Sequence, residues 1–72
     1  MARRRIAEDL QLTRREVEVL HQLVQGRTDR QIAAELYISR KTASTHVANI
    51  LRKLDAANRY HAAEIGQRAG LG

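Results

Sequence analysis

Ser39 to Leu54 reads S-R-K-T-A-S-T-H-V-A-N-I-L-R-K-L, and this stretch decides the fold. Ser39 suits a helix cap, because its hydroxyl can accept a backbone N–H two or three residues on. Behind it Ala43, Val47, Ile50, Leu51 and Leu54 recur at i, i+4, i+7, i+8 and i+11, which makes one face of a helix apolar. At about 100° per residue the opposite face carries Lys41, Thr45, Ala48, Asn49 and Arg52. The sixteen residues hold four Lys or Arg and no Asp or Glu. A purely cationic outer face points to a polyanion; a simply solvated charged face is the plainer alternative for a helix on its own.

The residues upstream favour the polyanion. Thr28 to Leu36, T-D-R-Q-I-A-A-E-L, reads as a short helix with a Thr-x-x-Gln capping box and with Ile32, Ala33 and Leu36 on one side. Only Tyr37 and Ile38 separate it from the Ser39 cap. Two helices joined by so tight a turn, the second longer and basic outside, have the form of a helix-turn-helix, whose second member lies in the major groove of DNA.

The flanks supply two more helices. Thr13 begins T-R-R-E, a capping box closed by Glu16, and Gly26 suits the left-handed position after the helix end. Val17, Leu20, Leu23 and Val24 form the expected buried stripe. After D-A-A-N, Asn58 caps a last helix that stops at Gly70, with Ala62, Ala63, Gly66 and Ala69 on its inner side. Gly66 within that helix implies close approach of another backbone, from the first helix or from a second subunit. The expectation is an all-α, four-helix helix-turn-helix domain with helices near 13–25, 29–36, 40–54 and 59–69. It occupies residues 10–72, behind a basic arm or linker end over 1–9 that contains Arg3, Arg4 and Arg5 and receives no site assignment.

Composition narrows the function. Seventy-two residues make one domain with a small core. No cysteine is present, so neither a disulfide framework nor a thiolate metal site is available. His21, His46 and His61 fall on three separate helices without a ligand pattern, and no metal, cofactor or small-molecule ligand is expected. Nothing assembles a nucleophile, base and oxyanion site, so the chain does not read as an enzyme. Neither a spanning apolar run nor a signal-peptide core is seen, and a cytoplasmic, membrane-free protein is expected. The net charge is +5, while only two aromatic residues are present, too few for stacking on single strands. Duplex DNA is the partner that composition favours.

The segments L-T-R-R-E-V-E-V-L (12–20), G-R-T-D-R-Q-I-A-A-E-L-Y-I-S-R-K-T (26–42) and H-V-A-N-I-L-R-K-L (46–54) together resemble the LuxR-type (LuxR/FixJ/GerE) helix-turn-helix domain over most of the chain. The resemblance implies the DNA-binding domain of a bacterial transcription regulator, with the third helix as reader and the fourth for dimerisation. Such a domain commonly sits at the C-terminus behind a sensory module, and RNA polymerase is a further candidate partner. Carried over residue by residue, base contacts fall on Ser44, Thr45 and Ala48, and phosphate contacts on Thr28, Lys41, Thr42, His46, Arg52 and Lys53. In a family-like dimer Tyr60, Ala63, Glu64 and Gln67 would face the partner; so polar a surface suggests weak association, a monomer in solution and a dimer on DNA.

This chain departs from the family pattern at Ser44 and Ala48, where many relatives carry Lys or Arg, and at Ala43, where a Val is common. Strong guanine contacts are therefore lost. Thr45 and Ala48 suit a thymine methyl and Asn49 suits adenine, so the preference leans to A·T steps. Ala43 leaves a gap that costs about 1 to 2 kcal/mol unless a neighbour such as Tyr37 fills it. Two rival readings share these features: promoter recognition in the manner of sigma factor region four, and a basic helical module that docks an acidic protein.

Overall fold

The computed structural model describes residues 11–71; the basic arm expected over 1–9 lies outside them. Four helices follow in order: α1 Arg14–Val24, α2 Asp29–Leu36, α3 Arg40–Leu54 and α4 Arg59–Arg68. Among the described residues there is no strand, and the domain is all-α.

Each helix starts where a side chain can take an orphan N–H. The Thr13 hydroxyl accepts from Glu16 N at 3.0 Å, and Glu16 Oε1 accepts from Thr13 N at 2.9 Å. Thr28 and Gln31 repeat that box at the start of α2. Ser39 accepts from Thr42 N at 3.0 Å and Asn58 from His61 N at 2.9 Å.

The four C-terminal ends share one device as well. The residue after the last turn adopts positive φ at Gly26, Tyr37, Asp55 and Gly70. The next N–H then reaches back five residues: Arg27 to Gln22 O, Ile38 to Ala33 O, Ala56 to Leu51 O and Leu71 to Gly66 O. This is the Schellman closure. It is built on glycine twice and on ordinary side chains twice.

Packing turns the apolar faces into one core. α1 lies against α4 and α3, α2 against α3, and α3 also meets α4. The core comprises Val19, Leu20, Leu23, Ile32, Ala33, Ala43, Val47, Ile50, Leu54, Ala62 and Leu71. In α1 the buried positions are Glu16, Val19, Leu20 and Leu23, a single i, i+3, i+4, i+7 stripe, with Val17 and Val24 half-buried at its edge. Leu71 enters the core from the Schellman position after Gly70.

A Cβ on Gly66 would lie 2.9 Å from Val24 Cγ2 and 3.2 Å from Leu20 Cγ and Cδ1, so the close neighbour is α1 of the same chain, and what approaches is its side chains and not the backbone expected. Ala43 is fully buried, and Tyr37 does not fill space beside it: its side chain is 96% exposed. The left-handed turn throws Tyr37 outward and lets Ile38 pack against the core instead.

Candidate nucleic-acid interface

The two helix starts, Thr28 and Ser39, and the outer side of α3 make up the candidate site. Thr28, Lys41, Thr42, Ser44, Thr45, Ala48 and Arg52 are exposed, while His46, Asn49 and Lys53 are half-buried. α3 has no acid in its first turn and carries Arg52 and Lys53 in its last, where cations oppose the negative end of the helix dipole. The N-termini of α2 and α3 present backbone N–H groups suited to phosphate.

Internal bonds constrain several of these groups. The exposed Thr45 hydroxyl donates to Lys41 O at 3.0 Å, which leaves that oxygen only lone pairs to offer. Arg52 Nη2 donates to Asn49 Oδ1 at 3.2 Å, steadying both side chains. His46 Nδ1 is buried without a partner.

Lys53, placed at a phosphate by the family pattern, has its ammonium turned inward. Nζ donates to Glu16 Oε1 at 2.7 Å and to Gln11 O at 3.0 Å. Glu16 is 4% exposed and is the buried charged residue of the core region. Burial pushes its carboxyl up, but hydrogen bonds from Lys53 and from the Thr13 N–H, with the charge of Lys53, outweigh that and hold it below the ordinary range. The pair ties the end of α3 to the start of α1.

Sequence reasoning missed a second cluster beside Ser44. The Ser44 hydroxyl donates to Asp29 Oδ2 at 2.7 Å. Arg59 Nη1 donates to Asp29 Oδ1 at 2.8 Å, and its Nη2 donates to Arg27 O at 2.9 Å. The Ser44 bond first, then Arg59, hold the Asp29 carboxyl below its ordinary range against partial burial. These partners lie 15 and 30 residues apart in the chain, so no local spacing betrays them.

On α4, Tyr60 is 80% exposed, Glu64 and Gln67 are exposed and Ala63 is half-buried. Arg68 Nη2 approaches Glu64 Oε2 at 3.6 Å on the surface. Tyr60 also borders a cleft of about 190 Å³ with Leu23, Gly26, Arg27, Thr28 and Arg59. Among the described residues no three His, Cys, Asp or Glu side chains gather as a metal site, and no helix is long and apolar enough to cross a membrane.

A short capped helix, a tight left-handed turn and a longer helix whose cationic side stays open, backed by two helices that complete the core, define a helix-turn-helix domain of the DNA-binding kind. Residues 6–65 match the family model described as bacterial regulatory proteins, luxR family, and the chain belongs to that family. It is 53% identical over 53 residues to the uncharacterized transcriptional regulatory protein YhcZ of Bacillus subtilis, covering 74% of this chain and 25% of that protein. To the transcriptional regulatory protein LiaR of the same organism it is 46% identical over 60 residues, 83% of this chain and 28% of LiaR. The spore germination protein GerE of Bacillus subtilis is 47% identical over 51 residues, 71% of this chain and 69% of GerE. The chain thus spans about a quarter of the length of the first two. The first two are transcriptional regulatory proteins by name, and the luxR-family domain is one of DNA binding in transcription regulation.

Proposed function

We propose that the domain binds duplex DNA near promoters as the effector domain of a longer regulator, with α3 in the major groove. Ser44, Thr45, Ala48 and Asn49 face the base edges. Thr28, Lys41, Thr42, His46 and Arg52 hold the backbone, while Lys53 acts as an internal brace. The observation that carries this reading is the outer side of α3, which combines exposed cations with small, adaptable side chains at its centre.

Affinity then comes mainly from phosphate neutralisation and orientation from the same contacts. Cationic contacts such as those of Lys41 and Arg52 make binding salt-dependent, with a log-log slope of about 0.9 per phosphate neutralised. With Thr45 and Ala48 offering methyl contacts and Asn49 an amide, A·T steps are preferred. Weak pairing of two chains through Tyr60, Ala63, Glu64 and Gln67 of α4 doubles the footprint once both are on DNA, and RNA polymerase is the partner a promoter-bound regulator would meet.

The test is a duplex titration at several salt concentrations with two variants. Lys41→Ala should weaken all sites alike and lower the slope by about 0.9, whereas Thr45→Ala or Asn49→Ala should change which sites are preferred. If the unaltered chain bound duplexes with no salt dependence, or bound only an acidic protein, groove binding would be ruled out.

A further inference from the structure

The cluster that joins Ser44 to Asp29 and Arg59 bears directly on how the groove is read, and the inference rests on α3 entering the major groove. A serine hydroxyl has one proton and two lone pairs, and in general it turns to suit either a donor or an acceptor. Here it has no such freedom. An ionised carboxylate can only accept, so the 2.7 Å contact between Ser44 Oγ and Asp29 Oδ2 consumes the Ser44 proton. The bond is charge-assisted, which makes it shorter and stronger than one between neutral groups.

Asp29 is in turn fixed on its other oxygen. Arg59 Nη1 lies 2.8 Å from Asp29 Oδ1, and the same guanidinium is anchored on Arg27 O. The carboxylate is therefore aimed from two sides. Ser44 itself remains exposed on the reading face, with only lone pairs to offer.

In the major groove adenine N6 and cytosine N4 are donors, whereas guanine N7 and O6 and thymine O4 are acceptors. An acceptor edge opposite Ser44 would have to break the bond to Asp29, and would also face a nearby carboxylate. We infer that Ser44 is a one-way reader, locked as an acceptor by Asp29 and through it by Arg59, so that at its base the domain selects an exocyclic amino group over guanine or thymine. Arg59 acts as a positioning residue: it sits at the start of α4 and touches the reading face only through Asp29.

The experiment is a selection from duplexes randomised over the half-site, run with the 72-residue chain and with Ser44→Ala, Asp29→Ala and Arg59→Gln. The selected duplex is then remade with the amino group at the Ser44 position removed, purine for adenine or 2-pyrimidinone for cytosine, and this also reports which of the two bases is read. The unaltered chain should favour adenine or cytosine at one position, and loss of that amino group should cost about fivefold in affinity, the worth of one hydrogen bond. Ser44→Ala should lose the preference. Asp29→Ala and Arg59→Gln should admit guanine or thymine at that position while the profile at other positions stays, a change that general loosening of the domain would not produce. If the unaltered chain binds with steep salt dependence yet all four profiles coincide, or guanine is selected opposite Ser44, the one-way reading is wrong and groove binding stands. If the unaltered chain shows no salt-steep duplex binding, both fall together. Ser44 is exposed, so its replacement by Ala leaves the fold intact and keeps the test decisive even where Asp29→Ala unfolds.

Discussion

Replacing Lys53 by Met removes an ammonium from the join between α3 and α1 while keeping most of the aliphatic stem. Nζ is 2.7 Å from Glu16 Oε1 and 3.0 Å from Gln11 O, and the Glu16 side chain is almost wholly shielded. Breaking a fully buried pair from one side costs about 3 to 5 kcal/mol, because the remaining charge is stranded. Two features reduce that here. Glu16 keeps the Thr13 N–H as donor, and the Lys53 side chain is 22% exposed, so water can reach part of the vacated space. A loss of about 2 kcal/mol is the expected value, or about 8 to 16 °C in Tm for a domain of this size. Thermal unfolding followed by circular dichroism measures it, and the double variant Glu16→Gln with Lys53→Met should recover part of the loss, since no charge is then stranded. The same protein assayed for duplex binding below its Tm should keep the salt slope of the parent. A Tm within about 2 °C of the parent, together with a slope lower by about 0.9, would refute the brace and return Lys53 to the phosphate contacts.

Three other perturbations follow from the same contacts. Tyr37→Gly places the favoured residue at a left-handed turn where the tyrosine buries almost nothing, and urea denaturation should show a gain of about 0.5 to 1 kcal/mol. Gly66→Val drives a branched side chain into Val24 and Leu20 and should cost about 2 kcal/mol or more, part of which returns in a Val24→Ala background. Glu16 and Asp29 both have carboxyls lowered by their partners, so the folded state binds protons less readily than the unfolded chain. Their contribution is complete above the ordinary carboxylate range and is lost as pH falls through their folded values. Stability measured against pH should therefore decline on the acid side, and Glu16→Gln should flatten that decline; an unchanged acid limb would mean the Glu16 pair is not coupled to folding.

Features set within four or five residues were legible from the chain alone. The Thr13 and Thr28 boxes, the Ser39 and Asn58 caps and the Gly26 and Gly70 ends depend on local spacing, and they form as read. The outer face of α3 follows from helical period alone, and Lys41, Thr45, Ala48 and Arg52 are exposed as expected, while Asn49 at its edge is half-buried. What escaped reading depends on which helix meets which. Val19 is fully buried and Val17 only half-buried, because the inner stripe of α1 runs through Glu16, a charge that an apolar pattern passes over and that is buried only through its partner on α3. Size and position suit Tyr37 to fill space by Ala43, but a left-handed backbone at an ordinary residue sends it to solvent. Family position points Lys53 at phosphate, whereas its partner Glu16 stands 37 residues away. Asp29 and Arg59 are likewise joined across 30 residues, beyond the reach of local spacing.

The missing Cβ at Gly66 has a consequence for any assembly of two chains through α4. Backbone pressed on Leu20 and Val24 leaves that helix little room to slide or tilt against the rest of the domain. A mate gripping α4 would thus grip a stiff body, like one arm of a pair of callipers. The gap between the two operator halves would then be gauged by this seam, and a bulkier residue there should alter the spacing tolerated by the pair before it alters the letters read.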